Sequence, residues 1–285
     1  MTLPEIISQL SSIQLENAPM CKGIVHRLVD TVFPIAWLHY PLKVGTIISR
    51  CRKNAPNLEK ESFSCKQPET ITDFQRASIP FESVFYGAVG DGSVEYGDFI
   101  AMLETSTLHR KRLNIGQEKI EVSRWRVTNK IDMALICHPK VFVDTNNGAV
   151  NTMQRNYCRL LPEYPAEPDF IPLFDKLVEF IAGQFAKRVP EGDNSQYMIS
   201  AYFAHNTLET ESGIIFPSVQ VDGNLGINVA LKRDVVENNL EFIGAEKHIL
   251  YKANKYLQVP ANTYSDEQIA RYLDIDYLNN LPIIN

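Results

Sequence analysis

"GIIFPSVQVDGNLGINVAL", residues 213–231, sets the terms of the fold. Gly213 to Phe216 read as a short buried strand, with β-branched residues and an aromatic and no charge. Pro217 has no N–H to give a ladder, so the strand is expected to stop there. Ser218 follows at once. A glycine-rich turn comes next, and "INVAL" reads as another apolar strand. A buried strand that ends by presenting a serine makes either a turn or one corner of a site.

Outward from this block, strands and helices are interspersed. "VGTIISRCR" reads as a strand from near Gly45, and "ESVFYGAV" as a second, closed by the turn signal "GDGS". "KIEVSRWRV" and "KIDMALIC" are two more, and "LEFIGAEKHILYKANKYLQV" closes the β region. "VEYGDFIAMLETSTL" has a helical apolar stripe. In "DFIPLFDKLVEFIAGQFAKR", Ile171, Phe174, Leu177, Val178, Ile181 and Phe185 share one helical face. "SQYMISAYFAHNTL" is a further helix. The regular βαβ alternation of a parallel sheet is missing, so the fold class is α+β.

The ends read as helical additions. Thr2 and Glu5 have capping-box spacing with Pro4 in the first turn, and "CKGIVHRLVDTVF" is a second helical run. Near the C-terminus, Ser265 and Gln268 cap "SDEQIARYLDIDYL". The expected division is an N-terminal helical extension over 1–42, a main domain over 43–250 and a C-terminal helical tail over 251–285 packed on that domain.

Bulk properties narrow the function. The chain has 285 residues, 45% of them hydrophobic and 22% charged, enough for a sizeable core without staples. A net charge of −6 argues against a nucleic-acid partner, while leaving room for a local basic pocket. Cysteines at 21, 51, 65, 137 and 158 are odd in number and form no CxxC pair, so reduced thiols in a cytoplasmic protein are expected, with no metal. "MTLPEIISQL" lacks the layout of a signal peptide, and no apolar run approaches membrane-spanning length.

The usual catalytic signatures (GxGxxG, GxxxxGK[ST], HExxH, GxSxG) are missing. His138, before Pro139, is expected at the surface or in a cap. Four separated features remain. Arg50 and Arg52 lie two apart on one strand face, as a strand end or a phosphate clamp. Arg76 precedes a strand bearing Tyr86, a core tyrosine or an aromatic platform. Glu104 flanks the buried stripe of its helix, where a solvated glutamate is the default. Ser218 completes the set.

Read in chain order, these features resemble the RES domain family, named for an arginine, a glutamate and a serine. "RCR" at 50–52 matches its RxR-like strand. "RASIPFESVFY" keeps Arg76 ten residues before Tyr86, as in the family's "GRxNPPGxxxxY" segment. "IAMLE" supplies Glu104 where the family has a "TAxxE"-like helix. "SGIIFPSVQVDGNLGINVAL" matches "DGIxYPSxxxxxGxNxAL" at Gly213, Ile214, Pro217, Ser218, Asn228, Ala230 and Leu231. The likeness covers roughly residues 43 to 245. Departures are Ser78 for the usual Asn, Phe81 where the "NPPG" glycine stands, Phe216 for Tyr, and longer connections on either side of Glu104.

The resemblance implies an ADP-ribosyltransferase-like fold, a split, mostly antiparallel β core with helices around a cleft. It implies a toxin-like enzyme that consumes NAD by breaking its nicotinamide–ribose bond, by hydrolysis or phosphorolysis. Protein ADP-ribosyl transfer and a degenerate, non-catalytic NAD-binding scaffold are the competing readings. Glu104 would stabilise the ribose cation, Arg50 with Arg52 or Arg76 would hold the pyrophosphate, and Tyr86 would stack on nicotinamide. Ser218 would donate a hydrogen bond within that pocket or orient Glu104. NAD is the expected substrate and no metal is required. An antitoxin protein or a second copy of the chain are the expected macromolecular partners, with no membrane and no nucleic acid.

Overall fold

The computed structural model describes residues 1–90, 93–110, 115–143, 148–164, 167–190, 192–219, 226–252 and 283. Its strands are β1 (His39–Leu42), β2 (Ile47–Arg52), β3 (Phe85–Val89), β4 (Gly116–Val127), β5 (Ile131–Leu135), β6 (Gly213–Pro217), β7 (Ile227–Leu231) and β8 (Leu240–Lys252). Its α-helices are α1 (Leu3–Ser12), α2 (Ala18–Asp30), α3 (Lys60–Phe63), α4 (Val94–Thr105), α5 (Thr107–Arg110), α6 (Gly148–Leu160), α7 (Ile171–Phe185), α8 (Met198–Thr210) and α9 (Arg233–Asn239). The strands form one mixed sheet in the order β1-β5-β6-β7-β3-β2-β4-β8. Every neighbouring pair is antiparallel except β5 with β6. The α+β class follows.

The 213–231 block forms the middle of this sheet. All residues of β6 and β7 are buried, which is why β6 reads as an uninterrupted apolar run, and β7 as one broken by Asn228, rather than as alternating strands. Pro217 is the last rung, opposite Ile227. Helices α1, α2, α7 and α8 pack on one another, with α8 against β6. The α7 stripe of Phe174, Leu177, Val178, Ile181 and Phe185 is buried as its period demands, and at α1 the Glu5 carboxylate accepts the Thr2 amide at 2.7 Å. Helix α4 lies instead against β2, β3 and β4, where Ile100, Ala101 and Leu103 form a second, smaller apolar cluster with Ala88.

The structure departs from the sequence reading in several places. Residues 39–42, inside the segment expected to be helical, form edge strand β1 on β5. Pro41 is tolerated there because an edge strand has free ladder positions. Helices α6 and α9 were not expected, although Val150, Met153 and Tyr157 give α6 a buried helical stripe. His138 is not at the surface; it is 2% exposed. The end of β5 carries it into the core. Its Nδ1 accepts the Lys140 amide at 3.3 Å, so Nε2 donates to Asp175 Oδ1 at 3.1 Å, and Tyr157 donates to that same oxygen at 2.8 Å. That partner lies on α7, out of reach of any local reading. The "GDGS" turn is described only in part, and the helix at 265–278 lies outside the described residues. Tyr251 and Lys252 belong to β8, and Ile283 bridges to Gln117.

No helix among the described residues is long and apolar enough to cross a membrane.

Candidate functional site

The sheet has a seam. Strands β2 and β3 share a single register pair, Ser49 opposite Ala88. Past Ser49, β2 continues along β4 from Arg50 to Arg52, whereas β3 continues along β7. A cavity of about 670 Å³ is lined from both sides of this seam: Arg50 and Arg52 from β2, Tyr86 from β3, Glu104 from α4 and Asn228 from β7.

Glu104 stands in the last turn of α4, so what fixes that helix fixes the carboxylate. At its first half, a Cβ on Gly97 would stand 3.0 Å from Ser49 Oγ and 3.2 Å from the Gly90 nitrogen. The missing side chain lets the helix approach the sheet. Buried Asp98 then accepts from Ser49 Oγ at 2.6 Å and from Arg124 Nε and Nη2 at 2.9 and 2.7 Å. Past its C-terminal end, buried Glu118 accepts from the Ser106 hydroxyl and from Thr107 Oγ1 at 2.9 Å, and it pairs with Lys53. Burial alone would raise the Glu118 carboxyl, but the hydrogen bonds from Lys53, Ser106 and Thr107 outweigh it and hold the group below its usual range.

Between these clamps, Glu104 Oε1 accepts from Ser218 Oγ at 2.6 Å and from Asn228 Nδ2 at 2.7 Å. Among the described residues no donor reaches Oε2. A carboxylate at the negative end of a helix needs such donors. Ser218 is fully buried, its amide donates to the Gly226 carbonyl at 3.0 Å, and it does not itself line the cavity. The structure therefore places it behind Glu104.

The arginines divide by role. Arg50 is 7% exposed, lies over the Phe85 ring at 4.5 Å and donates through Nη1 to the Tyr86 carbonyl at 2.7 Å. Among the described residues its Nε is buried without a partner, and so is that of Arg52, which donates through Nη2 to the Ser64 carbonyl. Burial, then the Arg52 charge, depress the Arg50 guanidinium to about 10. Arg76 also lines the cavity, but it donates to the Phe185 carbonyl and lies over the Tyr197 ring at 4.9 Å, bracketing two elements. The Tyr86 hydroxyl accepts the Ala77 amide at 2.7 Å and lies 3.3 Å from Ser78 Oγ, with burial raising the phenol.

The six expected residues thus meet around one cavity, five lining it and Ser218 one bond behind. Asn228 had been noted only as part of a matching block. The signal was present: a lone amide in a fully buried strand must find a partner. Lys66, on the cavity wall, gave no such signal. Comparison of the chain with protein-family models, curated proteins and solved structures gives no match.

Proposed function

We propose that the chain binds NAD as a substrate and cleaves its nicotinamide–ribose bond, on an ADP-ribosyltransferase-like arrangement of the split sheet. The observation that carries this reading is the pairing, in one cavity, of a fixed carboxylate with two arginines that keep unpartnered buried N–H groups. In the reaction the C1′–N bond breaks and its electron pair leaves with nicotinamide, which departs neutral and needs no general acid. The difficulty is the cationic, oxocarbenium-like ribose. Glu104, held by Ser218 and Asn228, supplies a preorganised negative charge to it. Arg50 and Arg52 take the pyrophosphate, since guanidinium N–H groups suit phosphate oxygens. Water, or phosphate, then bonds to C1′, and the proton released passes to solvent. Ser218 positions Glu104; buried behind the carboxylate and off the cavity wall, it is not the attacking group.

The test is nicotinamide release from NAD by the purified chain, with and without phosphate. Turnover by the wild type and loss of about 10³-fold in a folded Glu104→Gln variant are expected. An inactive wild type, or a fully active Glu104→Gln, overturns the reading.

A further inference from the structure

The cavity carries more positive charge than a pyrophosphate requires. Among the described residues six basic side chains line it, against two carboxylates, Asp73 and Glu104, in a chain whose net charge is −6. Lys53 is answered by Glu118. Among the described residues no carboxylate forms an ion pair with Arg50, Arg52 or Lys66, and burial, then the Arg52 and Arg50 charges, lower the Lys66 ammonium. Gathering like charges in this way costs free energy in the empty protein and is offset by an anionic ligand.

The three cations also form a series. Arg50 is buried, Arg52 half-buried, and Lys66 exposed on the cavity wall. Arg50 and Arg52, two residues apart, are separated by roughly 7 Å along the strand. Arg52 reaches the Ser64 carbonyl, which brings Lys66, two residues further on, to its side, and Arg233 Nη2 holds the Lys66 carbonyl at 2.9 Å. A pyrophosphate diester answers Arg50 and Arg52 with one negative charge each. Lys66 remains for a third group, and a monoester phosphate brings about −1.5 to −2.

We infer that the cavity favours a nicotinamide dinucleotide bearing an additional phosphate on its adenosine 2′-hydroxyl, and that Lys66, beside Arg52, holds this phosphate. The inference rests on the reading of the cavity as a dinucleotide site. Basic side chains are the general means of accommodating a 2′-phosphate.

Equilibrium titration of the wild type with ADP-ribose and with 2′-phospho-ADP-ribose, at one fixed salt concentration, tests it. The extra phosphate is expected to tighten binding about tenfold. Lys66→Gln brings the ratio of the two affinities close to one, and Lys66→Arg preserves it. Equal affinities in the wild type, a ratio unchanged in Lys66→Gln, or no binding of either compound overturns the inference. A chain that releases nicotinamide from NAD but binds both compounds equally overturns this inference alone. Lys66-dependent preference in a chain that cleaves nothing upholds it and overturns the proposed activity alone.

Discussion

The Ser218 hydroxyl donates to Glu104 Oε1 at 2.6 Å, across 114 residues of chain. Asn228 shares that oxygen. A hydrogen bond to a charged group contributes about 1.5–3 kcal/mol, so removing one donor costs roughly 10- to 150-fold in rate if the carboxylate's placement limits the chemistry. Ser218→Ala and Asn228→Ala are each expected to lower kcat for nicotinamide release by such a factor, with KM for NAD little changed. Ser218→Ala as inactive as Glu104→Gln would instead return the serine to a role in bond making.

Arg50 gives a prediction of opposite sign for stability and binding. Its folded-state value falls from the usual guanidinium range to about 10, because burial and then the Arg52 charge disfavour the cation. Below pH 10 both folded and unfolded states carry the charge and the penalty is present in full. It is relieved only as pH rises above about 10 towards the ordinary guanidinium range, where the folded chain sheds its proton first. At neutral pH, replacing the buried cation by an apolar group removes that penalty. Arg50→Met is expected to raise the melting temperature of the free protein by about 2–4 °C and to abolish ADP-ribose binding. A fall of several degrees in thermal unfolding would show Arg50 to be structural.

How much of this was legible depends on distance along the chain. β6 and β7 were readable because strands buried on both faces are nearly all apolar, Asn228 being the exception, and α7 because its stripe repeats at helical period. The four site features were readable as residue types, but their convergence at the β2/β3 seam is a property of strand order, which no local pattern encodes. β1 was lost because a prolyl edge strand has weak strand character. His138 was misplaced because Asp175, its partner, sits on another element.

His205 links α8 to the turn before β3 through a 3.1 Å contact with Glu82. That hydrogen bond is the main cause raising the imidazole above its ordinary value of 6.5, with burial opposing and the Glu209 and Asp30 charges helping. The stabilisation is therefore full below the unfolded value and is lost as pH rises through the higher folded one. For a partly exposed pair about 0.5 kcal/mol is at stake. Between about pH 6 and pH 8 the wild type is expected to lose about 1–2 °C more in melting temperature than Glu82→Gln. Identical pH profiles for the two proteins would remove the linkage.

Phe81 occupies the position where the resembled motif has glycine, and its backbone keeps the glycine conformation, with φ at 65°. For a residue with a Cβ this left-handed region costs about 1–2 kcal/mol. The side chain recovers little of it by burial, being 65% exposed. The turn is held regardless, since the Phe81 amide donates to the Ile71 carbonyl at 2.7 Å. Glycine at this position removes the strain but adds roughly 0.5–1 kcal/mol of unfolded-state entropy. The balance favours the substitution: Phe81→Gly is expected to stabilise the fold by about 0.5–1 kcal/mol, seen as a later midpoint in urea with an unchanged slope. The hydrogen bond from the Ala77 amide to the Tyr86 hydroxyl stays in place, so ADP-ribose affinity is expected to hold. An earlier urea midpoint would show that the exposed ring makes contacts worth more than the strain it imposes.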